Sequence, residues 1–241
     1  MVVKSQIKFI KSLQQKKYRN QHGMFVVEGV KVVKELLASQ ITAHIIYSTD
    51  AEFVKENIVV AELISEAELA KISSLSTPNK VVGVFNIPVP IEIDSNDWVI
   101  ALDDVRDPGN MGTIIRLCDW FGIPNLLCSL NTVDCYNPKV LQATMGSISR
   151  VNIVYANIKD YLNKVQMPVY GAFMNGEVVY KEVFPESGIL VMGNEANGIS
   201  NEIEALIAKK ISIPQFGTKT TESLNVATAT AILLNEIKRG R

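Results

Sequence analysis

The chain has 241 residues, 47% hydrophobic and 20% charged, with 24 Lys and Arg against 25 Asp and Glu. This composition excludes disorder and collagen-like structure and fits a soluble globular protein; at roughly 150 residues per domain it allows one large or two modest domains, each able to bury a core. Summed over the chain, a net charge of −1 argues against a nucleic-acid partner, but a sum hides how charge is distributed.

That sum first fails at the N-terminal segment. In the first 34 residues Lys4, Lys8, Lys11, Lys16, Lys17, Arg19, Lys31 and Lys34 face a single acid, Glu28. Ile7, Ile10 and Leu13 recur at helical spacing while Lys4, Lys8 and Lys11 mark another face, so a helix collects the charge on one side. Tyr18, Arg19, Asn20, Gln21 and His22 place stacking and hydrogen-bonding groups beside it, a mixture suited to RNA bases and backbone. A charge run by itself reads more often as a solvated helix face; the segregation of the lysines and the cluster beside them favour phosphate tracking. The segment has no apolar signal core and no small-residue cleavage site, so export is not expected and the cytoplasm is.

Short strands are predicted at 25–27, 44–47 and 81–85 and helices at 30–38 and 65–74, which together make a small α/β domain. Between Asn86 and Asp97, Pro88 and Pro90 precede polar turn formers and read as a linker. Charge separates across it: 11 Lys and Arg face 8 Asp and Glu up to Pro90, and 13 face 17 beyond. Domains are therefore expected over 1–90 and 91–241. In the second, strands are expected at Trp98–Leu102, 125–130, 151–154, 169–173, 189–192 and 211–213. Helices are expected at 111–121, after Asn137 as N-cap with Pro138 at N1, and at 224–239. Repeated βα units imply a mainly parallel sheet covered on both faces. No apolar run approaches the roughly 20 residues of a membrane-spanning helix. Cys118, Cys128 and Cys135 form no C-x-x-C pair and lie far from His22 and His44, which argues against a zinc site or a disulfide framework.

Three segments of the second domain carry candidate chemistry. The first runs Leu102, Asp103, Asp104, Val105, Arg106, Asp107, Pro108, Gly109, Asn110 and on to Arg116. It follows a buried strand, and open α/β sheets bind ligands at the carboxyl ends of their strands. On residue types alone a tight βα turn, with Asn110 capping the helix and Arg116 solvated, explains it as well. The second, Gly193-Asn194-Glu195-Ala196-Asn197-Gly198-Ile199-Ser200, imitates a phosphate-binding loop. Ile199 stands where the lysine is required and Glu195 adds an acid, so an NTPase is rejected. What remains is an anionic loop suited to a polar or cationic ligand, or a simple βα turn. The third runs from Ile211 and Ile213-Pro214 through Ser223-Leu224-Asn225 into a helix dominated by Ala and Thr, as where chain packs tightly on chain. Taken singly, Ser223 reads as an N-cap and Asn225 as a polar first-turn residue.

Together, Asp107-Pro108-Gly109-Asn110 to Arg116, Gly193-Asn194-Glu195 to Gly198, and Ile213-Pro214 to Ser223-Leu224-Asn225 resemble, in order and separation, the SpoU/TrmH family of RNA ribose 2′-O-methyltransferases of the SPOUT superfamily. Lys16-Lys17-Tyr18-Arg19 and Phe25-Val26-Val27-Glu28-Gly29 resemble the substrate-binding domain often attached to it. The resemblance departs at Thr218 to Glu222, which lengthen the third loop by about two residues, and at Met145-Gly146-Ser147, a looser version of a small-residue segment. It implies an α/β fold in which a small N-terminal α/β substrate-binding domain precedes an α/β-knot domain, a deep trefoil knot with a mainly parallel sheet. It also implies S-adenosylmethionine as methyl donor, held by main chain near Gly193, Ile213 and Leu224, with Asn110, Arg116, Glu195, Ser223 and Asn225 as catalytic residues and no metal. Arg116 would serve either as an unusual base or as a phosphate clamp. The implied partners are rRNA or tRNA, through the basic first domain, and a second copy of the chain, through the knot domain, with Trp120 and Phe121 as interface candidates. The alternatives are a non-catalytic RNA-binding or ribosome-assembly protein of the same fold, a base methylase, and a nucleotide-dependent enzyme on a small molecule. The last is weakened because no G-x-G-x-x-G follows the strand Trp98–Leu102.

Overall fold

The computed structural model describes residues 2–217 and 223–239; the lengthened stretch 218–222 lies outside the described residues. The chain forms two units. One takes the residues up to Val89 together with Asp134–Ser149, and the other takes Pro90–Val133 and the chain from Arg150 onward.

In the first unit α1 (Lys4–Ser12) buries Ile10 and exposes Lys4, Lys8 and Lys11, as its periodicity predicts. α2 (Lys16–His22) stops at Gly23, whose φ of 63° is the left-handed cap that glycine adopts without penalty. β1 (Met24–Glu28), α3 (Val30–Leu37), β2 (Ala43–Ser48), α4 (Ala51–Glu56), β3 (Ala61–Leu63), α5 (Glu66–Ile72) and β4 (Val81–Asn86) follow. The sheet order is β1-β4-β2-β3, with β2–β3 parallel and the other pairs antiparallel. Ile10, Leu13, Val26, Tyr47, Leu69 and Val84 pack as its core. Arg19, expected to face RNA, is instead 2% exposed. Its guanidinium donates to the carbonyls of Leu13 and Gln14, both at 2.9 Å, and to the Asp134 carboxylate. A buried cation persists only when its donors are paired, so this residue serves structure, while Asn20, Gln21 and His22 remain exposed.

The second unit opens with β5 (Trp98–Leu102), α6 (Pro108–Trp120) and β6 (Asn125–Cys128). α7 (Pro138–Thr144), capped by Asn137 as expected, sits with the first unit. β7 (Asn152–Tyr155), α8 (Ile158–Leu162), β8 (Val169–Val178), β9 (Gly188–Met192), α9 (Asn201–Glu204), β10 (Lys209–Ser212) and α10 (Val226–Lys238) complete the chain. The six strands run in the order β10-β8-β9-β5-β6-β7, and every pairing is parallel. β5, β6 and β9 are buried at every residue, the signature of a sheet covered on both faces. From β5 the chain proceeds to β6 and β7 on one side, whereas β10 lies on the other, beyond β8. The boundary between β5 and β9 is thus a topological switch point, where such sheets open a ligand crevice. No helix among the described residues is long and apolar enough to cross a membrane.

Candidate active site

A cavity of about 600 Å³ opens beside the β8–β9–β10 edge of this sheet, within the roughly 300–1,000 Å³ of small-molecule sites. Phe173 and Met174 of β8, Ile211 of β10, Ile213, and Ala229 and Leu233 of α10 give it apolar walls. The loop from Gly193 to Gly198 and the turn Ser223-Leu224-Asn225 supply its polar side.

That first loop closes on itself: Asn194 and Gly198 exchange two backbone hydrogen bonds of 2.9 Å. The closure requires glycine at 193, since a Cβ there would lie 2.3 Å from the Gly198 carbonyl carbon and the Ile199 nitrogen. Asn194 Oδ1 accepts from the amides of Ala196 and Asn197 at 2.9 and 3.0 Å, which orients its Nδ2 toward the Asp104 carbonyl at 2.7 Å. Asp104 holds a left-handed φ of 61°, a conformation Asp tolerates in turns. Asp103 continues the β5–β9 ladder through its amide and accepts from the Ser200 amide at 2.8 Å. The loops after β5 and β9 are thereby tied together.

The three motif segments meet in a chain of side-chain hydrogen bonds with one direction. Asn225 Oδ1 accepts from the amides of Ala227 and Thr228 at 3.0 and 3.2 Å, which caps α10 and leaves Nδ2 to donate to Asn110 Oδ1 at 2.8 Å. The Asn110 amide is thereby oriented as well, and its Nδ2 donates to Glu195 Oε1 at 3.0 Å. The Glu195 carboxylate also accepts from the amides of Asp107 and Arg106 at 3.3 and 3.4 Å. Partial burial pushes this carboxyl up, but the bond from Asn110 and the backbone N–H groups outweigh it and hold the pKa below the ordinary carboxylate value.

Gly193, Glu195, Ile213, Ser223, Leu224 and Asn225 all line the cavity, and Asn110 joins two of them from outside its wall. Arg116 stands apart, six residues along α6 from Asn110, exposed and without an ion pair or hydrogen bond among the described residues. The two caps fall elsewhere than the plain turn readings placed them. Asp107, not Asn110, caps α6, accepting from the Asn110 amide at 2.8 Å, and Asn225, not Ser223, caps α10. An Asp before Pro108 at N1 is a local signal for the first of these. Asn194 as the tie to Asp104 has none, because its partner lies 90 residues away. Among the described residues no group of three His, Cys, Asp or Glu could hold a metal ion.

Comparison with known proteins places the chain in a family. Residues 97–235 match the SpoU rRNA Methylase family, and residues 4–83 match the MRM3-like substrate binding domain. The chain is 28% identical over 239 residues to the 23S rRNA (guanosine(2553)-2′-O)-methyltransferase RlmP of Bacillus subtilis, covering 96% of this chain and 95% of that one. A solved TrmH-family structure from Porphyromonas gingivalis superimposes with a TM-score of 0.90 at 37% identity, covering 99% of both chains. The AdoMet-bound rRNA methyltransferase of Sinorhizobium meliloti gives 0.88 at 30% identity, covering 99% of this chain and 97% of that one.

Proposed function

The chain belongs to the SpoU rRNA methylase family, and from that membership we propose that it transfers a methyl group from S-adenosylmethionine to a ribose 2′-hydroxyl of a structured RNA, ribosomal or transfer. The observation that carries the reading is the Asn225–Asn110–Glu195 chain, which locks two residues of the cavity wall in fixed orientation through a third.

The cavity suits this donor in shape and charge. Bare main chain at Gly193 permits close approach, apolar walls suit the flat and thioether-like parts of the molecule, and an ionised Glu195 complements a sulfonium cation. S-adenosylmethionine supplies an electrophilic methyl group, which no side chain can. Main-chain groups at Gly193, Ile213 and Leu224 hold the donor. Asn110, Ser223 and Asn225 orient the reacting groups. Glu195, its lone pairs taken up by N–H donors and its pKa depressed, is a poor proton acceptor and acts through its charge and through Asn110. Arg116 clamps the phosphate beside the acceptor ribose, while the hydroxyl proton leaves to water.

Arg116 and Trp120, which is 84% exposed, lie one helical turn apart on α6. We take this face as the contact of a homodimer, with Arg116 working at the junction of two copies. The trefoil path of the C-terminal segment, RNA capture by the basic first 90 residues, and residence in the cytoplasm belong to the same reading.

Incubation with labelled S-adenosylmethionine and unmodified rRNA and tRNA transcripts, followed by mapping of alkali-resistant positions, tests it. Transfer to a defined ribose supports the reading, and failure to bind the donor overturns it. Arg116→Ala is expected to keep donor affinity and lose transfer.

A further inference from the structure

A second cavity, of about 410 Å³, lies wholly within the first unit. Its apolar lining comes from β1 at Val26 and Val27, which face opposite sides of the sheet, and from Val32 of α3, Leu75, and Leu141 of α7. Around it stand the carboxamides of Gln14, Asn137 and Gln142 and the ammonium of Lys139. The side chains of Gln14, Gln142 and Lys139 have no hydrogen bond among the described residues, and Asn137 uses only Oδ1, which accepts from the Lys139 amide at 2.9 Å. Glu28, on the same wall, accepts from the Ser74 amide at 2.8 Å, the Ser74 hydroxyl at 2.5 Å and the Ser73 hydroxyl. Those bonds fasten the turn that carries Leu75, so the cavity is a built feature.

Charge and size together select the ligand. A phosphate drawn into the cavity would meet the Glu28 carboxylate, whereas a neutral planar base would meet the apolar lining from Val32, Leu75 and Leu141. Carboxamides present a donor and an acceptor side by side, the pattern that reads a base edge. Lys139, which lines the cavity and is exposed, can hold a flanking phosphate outside. The volume lies at the lower end of the roughly 300–1,000 Å³ range, enough for one base with its sugar. We infer that this cavity receives a single unpaired nucleobase of the substrate RNA, at a site separate from the methyl-transfer cavity. The inference rests on the RNA reading given above.

The test uses the full chain with photoreactive benzoylphenylalanine replacing Gln142 and, as reference, replacing Lys8 on α1. Each protein is irradiated with unmodified rRNA and tRNA transcripts and the crosslinked nucleotides are mapped. One nucleotide captured from position 142 is the expected result. In Gln14→Ala/Gln142→Ala the RNA KM should rise about 10-fold, with the KM for S-adenosylmethionine and the salt dependence of RNA binding unchanged. Capture from position 8 with none, or with scattered capture, from position 142 overturns the base pocket and leaves the activity standing. No capture from either position, with no RNA retained, overturns the RNA reading and the pocket with it.

Discussion

Asn225 caps α10 through Oδ1 and orients Asn110 through Nδ2, and one substitution separates these roles. Asn225→Asp keeps the acceptor, and Asp caps helices as well as Asn, so urea unfolding should change by no more than ~0.5 kcal/mol. The donor is lost, and the new carboxylate draws the Asn110 amide away from Glu195. A hydrogen bond to a charged group is worth ~1.5–3 kcal/mol, so kcat/KM should fall by roughly 10- to 100-fold. Unchanged turnover would remove this chain of amides from the mechanism. Glu195 gives a second prediction, through pH. Its folded-state pKa lies below the ordinary value, so the anchoring of its loop is complete above the unfolded pKa of about 4.3 and is lost as the pH falls through the depressed value. With respect to this group, donor affinity should stay flat from pH 7 down to about pH 4.3 and fall only as the pH passes through the depressed value. Glu195→Gln, which sets an NH₂ against N–H donors, should bind donor weakly at every pH. A transition centred near neutrality would mean that another group governs binding.

At the scale of elements, the loop after β9 depends on backbone meeting backbone. Gly193→Ala places a Cβ 2.3 Å from main-chain atoms that cannot rotate away, whereas a Cβ at Gly217 meets nothing within 4 Å. Gly193→Ala should cost ~1–3 kcal/mol in thermal or urea unfolding and abolish donor binding, with Gly217→Ala close to neutral. Equal effects would show that the loop yields. The strands and long helices were readable in advance because their signals are local. β5 falls where an apolar run ends in Asp103-Asp104, and α7 starts where Asn137-Pro138 marks a cap. α4, β3, α8 and α9 escaped because they have 6, 3, 5 and 4 residues, too short for a hydrophobic period to repeat. The candidate site was readable as three segments only through their family resemblance, and the structure brings those segments together. How they join was not readable, since the Asn225–Asn110 bond spans 115 residues and no local pattern encodes it.

Over the whole molecule the near-zero net charge proves to be a cancellation between a basic front and an acidic remainder, yet the structural division does not follow that boundary alone. Asp134–Ser149, deep in the acidic part of the sequence, packs with the first 89 residues, so the chain passes between the units three times. Val140 and Leu141 are buried there, Tyr136 lies against Phe25 at 4.7 Å between ring centroids, and Asp134 meets Arg19. Arg19 and Asp134 expose only 3% and 14% of their side chains, so removing one partner strands a charge. Arg19→Met should therefore cost ~3–5 kcal/mol, and Asp134→Leu added to it should restore most of that loss. Urea unfolding measures both, and hydrogen exchange at 134–149 shows whether the segment opens when the pair is broken. If Arg19→Met is as stable as the unaltered chain and these amides stay protected, the apolar contacts hold the segment by themselves. If the segment opens, a residue with the look of an RNA contact is instead what keeps a stretch from the second half of the sequence docked on the first unit.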